Sequence, residues 1–206
     1  MYVPAHFAVA EEDVSELLHR HGAADLVTVT ADGLVATFLP FVFDPDIGDH
    51  GRLLGHVARN NDQWRRPAVG ESLVIVRGPD AYISPSWYAT KAEHGRVVPT
   101  WNYVTAHVHG RLVVHDDPAW VESLVRRLTE KHESERNRPW SVDDAPDRFV
   151  AGQLRAIVGV ELIISRIEAK AKLSQNRSPA DIDGVIEGLD NAGDAISAAA
   201  VRNARP

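Results

Sequence analysis

The segment from Asn102 to Val114 limits the folds open to this chain more than any other feature, because apolar residues recur at every second position along much of it. The apolar residues that share one face are Val104, Ala106, Val108 and Leu112. A period of two is typical of a β-strand that buries one face. The pattern therefore predicts a long strand within a sheet.

Shorter strand patterns occur on both sides of this segment and supply the rest of the sheet. The predicted strands are 26–30, 34–43, 52–56, 72–76, 81–84, 102–114 and 158–167. Ala31-Asp32-Gly33, between the first two, is a hairpin signal. Pro40 restricts the second strand to an edge, a bulge or an end, because proline has no N–H for the ladder.

Helical patterns lie between and after the strands. Residues 11–21 carry an apolar stripe, Asp117 precedes Pro118 as an N-cap would, residues 149–157 are predicted to be helical, and Ser178-Pro179 opens another helix. Six or more antiparallel strands with helices around them predict a mainly β chain of the α+β class, built on a barrel-like sheet.

The size and composition are those of an ordinary globular protein. The 206 residues, 44% hydrophobic and 25% charged, can bury a sizeable core. We expect a single domain over residues 1–206, with a C-terminal helical extension at about 178–206. No apolar run approaches the ~20 residues that cross a bilayer, and the first residues lack the order of a signal peptide. The chain has no cysteine, which excludes disulfides and thiolate sites, and we expect it in the cytoplasm.

The net charge of −7 argues against direct binding to DNA. A DNA-binding domain normally carries a basic face that releases counterions from phosphate. The densest basic spots here are Arg65-Arg66, Arg126-Arg127 and Arg136-x-Arg138, and each lies near acidic residues. We interpret them as solvated helix faces, so direct binding to an operator is disfavoured.

Two aromatic stretches stand out in a chain with only 7% aromatic residues. They are Ala81-Tyr-Ile-Ser-Pro-Ser-Trp-Tyr88 and Val98-Pro-Thr-Trp-Asn-Tyr103. Large flat side chains bury much area at a small cost in rotamer entropy, which suits a flat, conjugated ligand. An aromatic core plug at the end of a sheet explains the cluster equally well.

His56 is the candidate metal ligand, at the end of a short predicted strand. A neutral imidazole can be the sole protein ligand of a haem iron. Gly55 permits a close approach to the backbone, and Arg59 offers a bidentate fork for a carboxylate or a phosphate. The alternative is a hydrogen-bonded structural histidine, which is the commoner role of a lone histidine.

The remaining constellations carry weaker signals. His107 and His109 share a strand face and permit a metal pair, yet no acidic residue nearby has obvious ligand spacing. Ser86 lacks the Gly-x-Ser-x-Gly elbow of hydrolases, and no phosphate loop or dinucleotide glycine pattern occurs. Asp143-Asp144 and Glu11-Glu12-Asp13 are interpreted as helix caps and first-turn acids.

Several motifs, in register along most of the chain, resemble one family, the PaiB-type branch of the flavin-binding split barrels. The motifs are Met1-Tyr-Val-Pro-Ala-His-Phe7, Gly55-His-Val-Ala-Arg-Asn60, Lys91-Ala-Glu-His-Gly95, Asp116-Asp-Pro-Ala-Trp120, Pro139-Trp-Ser-Val-Asp-Asp144 and Leu173-Ser-Gln-Asn-Arg177. The resemblance implies a split β-barrel of the PNP-oxidase-like type. It also implies a homodimer with a flat cofactor at the subunit interface.

The resemblance further implies which residues bind the cofactor. They are Thr37, Leu39, His56, Arg59, Asn60, Trp64, Ser84, Trp87, Tyr88, Trp101, Lys172 and Arg177. The strand around Thr37 resembles the one that lies along an isoalloxazine ring, and the segment after His56 resembles the flavin phosphate site. The cationic end that holds Lys172 and Arg177 suits a phosphate, a propionate or a substrate carboxylate.

One position departs from the family pattern. The stretch Lys170-Ala-Lys-Leu-Ser-Gln-Asn-Arg177 matches Lys-Trp-Lys-Leu-Ser-Gln-Asn-Arg except at Ala171, where an aromatic residue is expected. Losing that aromatic side chain removes a packing partner of the flavin or of its neighbour. The departure argues against ordinary FMN binding and leaves room for a wider cofactor.

The resemblance leads to two functions. Most members are described as FMN-binding negative transcriptional regulators, whereas a subset resembles piperazate synthases, which bind haem b through one histidine. Those enzymes close N5-hydroxyornithine into the N–N bonded ring of piperazic acid. Because of the acidic charge, Ala171 and His56, we expect the haem enzyme acting on a hydroxylated ornithine. The alternatives are the FMN-binding regulator and a flavin oxidoreductase.

Overall fold

The computed structural model describes residues 1–206, and the chain divides into two compact units. Unit 1 comprises Met1–Val14, Arg77–Ala106 and Ala169–Pro206, and unit 2 comprises Ser15–Val76 and His107–Glu168. That residues 1–206 form a single domain stays a prediction. No helix in the structure is both long and apolar enough to cross a bilayer.

Six strands close into a barrel in the order β1-β2-β3-β6-β5-β4. The strands are β1 Ala23–Thr30, β2 Gly33–Asp44, β3 Arg52–Ala58, β4 Ser72–Ile83, β5 Thr100–His115 and β6 Ile157–Lys172. The β1–β2, β2–β3, β3–β6 and β1–β4 pairs are antiparallel. This confirms the predicted split barrel of mainly β structure with peripheral helices.

Six α-helices accompany the barrel. They are α1 Glu11–Arg20, α2 Thr90–His94, α3 Pro118–Glu133, α4 Asp147–Leu154, α5 Pro179–Asn191 and α6 Ala195–Asn203. Two helix starts follow the predicted capping chemistry: the Asp117 carboxylate accepts the N–H groups of Ala119 and Trp120, and the Ser178 hydroxyl accepts that of Asp181. Both caps satisfy donors that a helix start leaves unpaired.

Pro40 lies where β2 changes partner. Pro40 is opposite Ala23 at the end of the β1 ladder, and pairing with β3 begins at Phe41, opposite Gly55. The strand therefore loses no ladder bond at the residue that cannot donate one. Gly55 is required at this crossing, because a Cβ there would come within 2.8 Å of the Pro40 carbonyl oxygen.

The two strands predicted at 72–76 and 81–84 are wrong as separate elements, since both belong to the continuous strand β4. The buried positions are Ser72, Val74 and Val76, and then Ala81 and Ile83. They shift from even to odd numbers, as they do when a bulge inserts one residue. Gly78-Pro79 therefore marks a bulge-like irregularity in a strand, where proline is tolerated, instead of a turn.

The core of unit 1 is built around the C-terminal helix pair. Its buried members are Ala81, Ile83, Tyr88, Leu173, Ile182, Val185, Ile186, Leu189, Ala198 and Val201. Trp87 packs against this core, and two glycines of α5, Gly184 and Gly188, allow the Trp87 backbone and ring to approach the helix. Helices α5 and α6 are thus fixed to the aromatic segment that the sequence singled out.

Replacing Gly188 with alanine is expected to destabilise the protein by about 3 kcal/mol, because the new methyl group would overlap the Trp87 ring. The matched control is Gly152→Ala in α4, where nothing lies within 4 Å of the added Cβ. Alanine should stabilise that helix by about 0.5 kcal/mol. Urea unfolding of both variants measures the difference, and equal stability of the two would contradict the predicted overlap.

Candidate functional site

His56 is held near the end of β3, opposite Gly159 of β6. Its Nδ1 atom is buried and has no hydrogen-bond partner. Burial lowers the pKa of the imidazole below its ordinary value of 6.5, so the ring is neutral at pH 7. A buried nitrogen without a partner destabilises a fold unless another group satisfies it. The structure therefore shows no hydrogen bond at Nδ1 of His56, and the ligand role stays a prediction.

A groove of about 290 Å³ lies beside His56 in unit 2. It is lined by Pro40, His56, Val125, Leu128, Thr129, His132, Glu133 and Trp140. Four of these eight side chains are apolar, and the eight come from β2, β3, α3 and the segment after α3. Apolar walls that also carry polar groups are typical of a small-molecule site.

A second cavity, also of about 290 Å³, shares Thr129, Glu133 and Trp140 with this groove. The Glu133 carboxylate accepts the backbone N–H of Trp140 at 3.1 Å, which holds the Trp140 segment against α3. No sequence pattern had placed His132, Glu133 or Trp140 in a site. The motif Pro139-Trp-Ser-Val-Asp-Asp144 was the available signal for Trp140, whereas nothing in the helical pattern distinguished His132.

The residues that line the groove would fit a haem, with His56 as the residue that would hold the iron. A neutral imidazole can bind iron, and no protein group pairs with the Nδ1 atom of His56. Apolar side chains such as Val125 and Leu128 suit the face of a porphyrin ring. The pair of His107 and His109, which the sequence also offered as a metal site, fits a metal less well. His109 Nδ1 lies 2.9 Å from Arg166 Nη2, and no group of three or more potential metal ligands forms in the structure.

Arg59 does not present a free fork. Its guanidinium binds both oxygens of Asp116, and it also donates to the carbonyl oxygens of Arg155 and Ile157. Asn60 is exposed in the turn after β3. Arg59 therefore links three segments of unit 2 through its hydrogen bonds. An anion that binds near it would have to compete with Asp116.

On β2, Thr37 makes polar contacts, whereas Leu39 is a buried apolar residue. The Thr37 hydroxyl donates to Gln63 Oε1 at 2.5 Å and accepts from Asn61 Nδ2 at 2.8 Å, and Gln63 Nε2 donates to Thr28 Oγ1 at 3.0 Å. Leu39 is buried, with 3% of its surface exposed. The side chain of Thr37 is therefore hydrogen-bonded within a polar network centred on the buried Gln63. No motif or periodic pattern had indicated a role for Gln63.

Trp64 lies beside a different cavity of unit 2, of about 360 Å³. Its Nε1 donates to the Arg59 carbonyl oxygen, and the Arg65 guanidinium lies 4.8 Å from the ring centroid. Arg66 and Arg111 also line this cavity. An indole wall with two arginines is chemically suited to an anionic aromatic ligand such as a nucleotide.

The aromatic residues of unit 1 have mainly structural contacts. Ser84 caps the short turn before Trp87, and Trp87 packs on α5. Tyr88 is buried, which raises the pKa of its phenol, and the Arg177 guanidinium lies 4.6 Å from its ring centroid. For Trp87 and Tyr88 the structure therefore supports the core-plug interpretation.

The end of β6 in unit 1 is cationic. Lys172 Nζ donates to the Trp101 carbonyl oxygen at 2.7 Å and to the Thr100 hydroxyl. Burial, together with the charges of Lys170 and Arg177, lowers the pKa of Lys172. Trp101 is half exposed and donates its Nε1–H to Asp80. The three cationic side chains, Lys170, Lys172 and Arg177, suit a carboxylate or a phosphate.

Ala171 packs against the core of unit 1, and its carbonyl oxygen accepts from Gln175 Nε2 at 2.7 Å. A bulky aromatic residue at this position would contact the same core. In this chain the alanine methyl group makes that contact with the core of unit 1.

A buried ionic cluster stabilises the barrel next to the groove residues of unit 2. Arg52 binds Asp44 and Glu161 at 2.9 Å each, Arg127 also binds Asp44, and His115 Nε2 lies 2.7 Å from Glu161. Burial alone would raise the pKa values of the two carboxyl groups. The hydrogen bonds from Arg52, with Arg127 for Asp44 and His115 for Glu161, lower both.

This cluster predicts acid sensitivity of the fold. Because the folded-state pKa values of Asp44 and Glu161 lie below their ordinary values of 3.8 and 4.5, the stabilisation is complete above those values and is lost as pH falls through the lowered ones. Urea unfolding between about pH 5 and about pH 3 should show a falling free energy of unfolding. Glu161→Gln should show a weaker dependence on pH, and an unchanged dependence would contradict the assignment.

Comparison with known proteins defines the family. A family model described as a putative FMN-binding domain matches residues 1–166. Protease synthase and sporulation protein PAI 2 of Bacillus subtilis (strain 168) is 36% identical over 193 residues, which cover 93% of this chain and 90% of that protein. An uncharacterised protein of Emericella nidulans is 31% identical and covers 94% of this chain and 92% of its own length. The chain belongs to the PaiB-type family of FMN-binding domains, as its motifs predicted.

Solved structures share the fold at low identity. The conserved hypothetical protein Rv2991 of Mycobacterium tuberculosis has a TM-score of 0.59 at 11% identity, over 86% of this chain and 94% of that one. The FAD and haem binding protein of Mycobacterium smegmatis has a TM-score of 0.52 at 16% identity, over 85% of this chain and 78% of that one. These likenesses support the split-barrel fold and no more.

Proposed function

We propose that this chain is a haem-binding enzyme of the PaiB-type family, with His56 as the protein ligand of the iron. The proposal rests on two observations: His56 lines the groove, and its buried Nδ1 atom lacks a hydrogen-bond partner. A metal ion would satisfy an imidazole that is neutral at pH 7. The M. smegmatis protein, whose name includes haem, has the same fold. That likeness means only that a split barrel can hold such a group.

The proposed reaction is the one implied by the haem-binding subset, ring closure of N5-hydroxyornithine. The α-amine nitrogen forms a bond to N5, the N5–O bond breaks, and one water leaves, so no external oxidant or reductant is needed. When bound, haem iron would act as a Lewis acid that assists departure of the hydroxyl. The groove side chains would position the substrate beside His56, and Trp140 would limit the access of water.

The test of the reaction is cyclisation of N5-hydroxyornithine by the haem-loaded protein, followed by mass spectrometry for the loss of one water. We expect product with the wild type and with His50→Ala, which alters an exposed loop histidine. We expect none with His56→Ala. A haem-loaded wild type that leaves the substrate unchanged would refute the reaction while leaving the ligand assignment intact.

FMN binding, as a regulator or a flavin oxidoreductase, is the second candidate, and the cavity beside Trp64 favours it. Arg66 and Arg111 line that cavity and could hold a phosphate, with the indole against the ring system. Titration of the protein with FMN, followed by quenching of flavin fluorescence, tests this candidate. Arg111→Glu should weaken binding at least about 10-fold if the phosphate lies there.

We also propose that the chain acts as a homodimer. Leu34 and Phe38 are 74% and 69% exposed on the outer face of β2, next to the exposed Val29 of β1. Val69, whose N–H donates to the Val29 carbonyl oxygen, extends this apolar surface. Soluble monomers rarely expose contiguous apolar surface, and homodimer interfaces are apolar. A second copy of the chain is the occupant we infer for this surface.

Phe38→Asp is expected to convert the dimer to a monomer, because it would bury a charge in an apolar interface. Sedimentation velocity at several protein concentrations measures the change. Phe149→Asp is the matched control, since Phe149 is also exposed but lies on α4, and it should stay dimeric. A monomeric wild type would contradict the proposed interface.

A further inference from the structure

The groove beside His56 contains a second imidazole that the proposed iron ligand does not explain. His132, near the end of α3, lines the same cavity, and its ring packs near Gly22, where an added Cβ would lie 3.3 Å from Cε1. His132 is exposed, whereas His56 is half buried. His132 is therefore the more accessible of the two imidazoles that line the groove.

Few other polar groups in this groove are available to a ligand. The Glu133 carboxylate already accepts the Trp140 N–H at 3.1 Å and pairs with Arg136 Nε at 3.1 Å. The walls are otherwise formed largely by Pro40, Val125, Leu128 and the Trp140 ring. The imidazole of His132, the hydroxyl of Thr129 and the indole N–H of Trp140 are thus the donors on side chains of this groove outside His56.

The proposed ring closure needs such a donor. When the N5–O bond breaks, negative charge develops on the departing oxygen, and a donor aimed at developing charge lowers the barrier. An imidazole has an N–H in both its neutral and its charged form. The lysine next to His132 does not supply this donor, because Lys131 Nζ is bonded to the carbonyl oxygens of His21 and Phe41.

We propose that His132 is a catalytic residue of this site, which donates an imidazole N–H to the departing hydroxyl oxygen of the substrate. This inference rests on the proposed function. The α-amine nitrogen bonds to N5, the N5–O bond breaks, and the departing hydroxide combines with the proton that the α-amine loses, so that one water is formed. His132 and His56 then have separate tasks, the first at the oxygen of the substrate and the second at the iron.

The test compares His132→Leu and His132→Gln in the haem-loaded protein, with His50→Leu as the control for loss of an exposed histidine. His132→Leu should lower kcat by about 100-fold, because it removes one donor to the developing charge. The dissociation constant of N5-hydroxyornithine, measured from its shift of the Soret band, should change by less than about threefold. His132→Gln keeps an N–H donor and should recover at least about one tenth of the wild-type kcat.

The outcomes separate this inference from the proposed function. A wild-type kcat in His132→Leu would overturn the role of His132 alone. A lowered kcat that follows a loss of Soret intensity would also overturn it, because His132 would then serve to hold the cofactor. A wild-type protein that lacks a Soret band, or that has one and does not cyclise the substrate, would refute the proposed function and this inference with it.

Discussion

Replacing His56 with alanine is expected to remove haem from the purified protein, with a loss of affinity of at least about 100-fold. The physical reason is that His56 supplies the proposed bond to iron, and its buried Nδ1 has no other partner. The pyridine haemochromogen assay measures haem per chain in the wild type and in the variant. Free imidazole added to His56→Ala should restore part of the Soret band, because it can occupy the space left by the side chain.

The same position gives an independent readout in the protein without haem. An unsatisfied buried nitrogen destabilises the fold, so His56→Leu should raise the free energy of unfolding of the cofactor-free protein by about 1 kcal/mol. A structural histidine would give the opposite sign. Full haem content in His56→Ala would contradict the ligand assignment, whatever the stability of the variant.

Replacing Arg52 with leucine is expected to destabilise the protein by about 3 kcal/mol, which is the second large effect. The guanidinium donates to Asp44 and Glu161, whose side chains are only 12% and 8% exposed. Without it Asp44 keeps Arg127 and the Asp46 N–H, and Glu161 keeps His115. Urea unfolding at neutral pH measures the loss.

Arg20→Ala is the matched control for removal of an arginine. Arg20 pairs with Glu16 on the surface of α1, and its side chain is 81% exposed, so its removal should have no measurable effect on stability. Equal stability of Arg52→Leu and the wild type would contradict the buried cluster. Loss of stability in Arg20→Ala of similar size would show that the effect is not specific to burial.

Local patterns in the sequence predicted most of the fold. The alternation in 102–114 corresponds to β5, Asp117-Pro118 and Ser178-Pro179 cap α3 and α5, and Ala31-Asp32-Gly33 turns the β1–β2 hairpin. Each of these signals depends on residues close together in the chain. The break predicted between residues 76 and 81 is absent, because the strand continues through Gly78-Pro79 with an irregularity at which the buried side changes.

The site was only partly predictable, because its other members come from distant segments. His56 was found from its motif, but His132 and Trp140 join it only when α3 packs beside β3. Arg59 was predicted to be available for an anion, and the fold places Asp116 against its fork. For Trp87 and Tyr88 the sequence left a cofactor wall and a core plug open. Trp87 packs on α5 and Tyr88 lies in the same core, and their cofactor role stays a prediction.

The most direct test of the central claim is the absorption spectrum of the freshly purified protein, before and after reduction with dithionite. If His56 holds haem iron, the spectrum should show an intense Soret band that shifts on reduction. A two-band yellow flavin spectrum that bleaches on reduction, with no Soret band, would contradict that assignment and support FMN binding at the cavity beside Trp64.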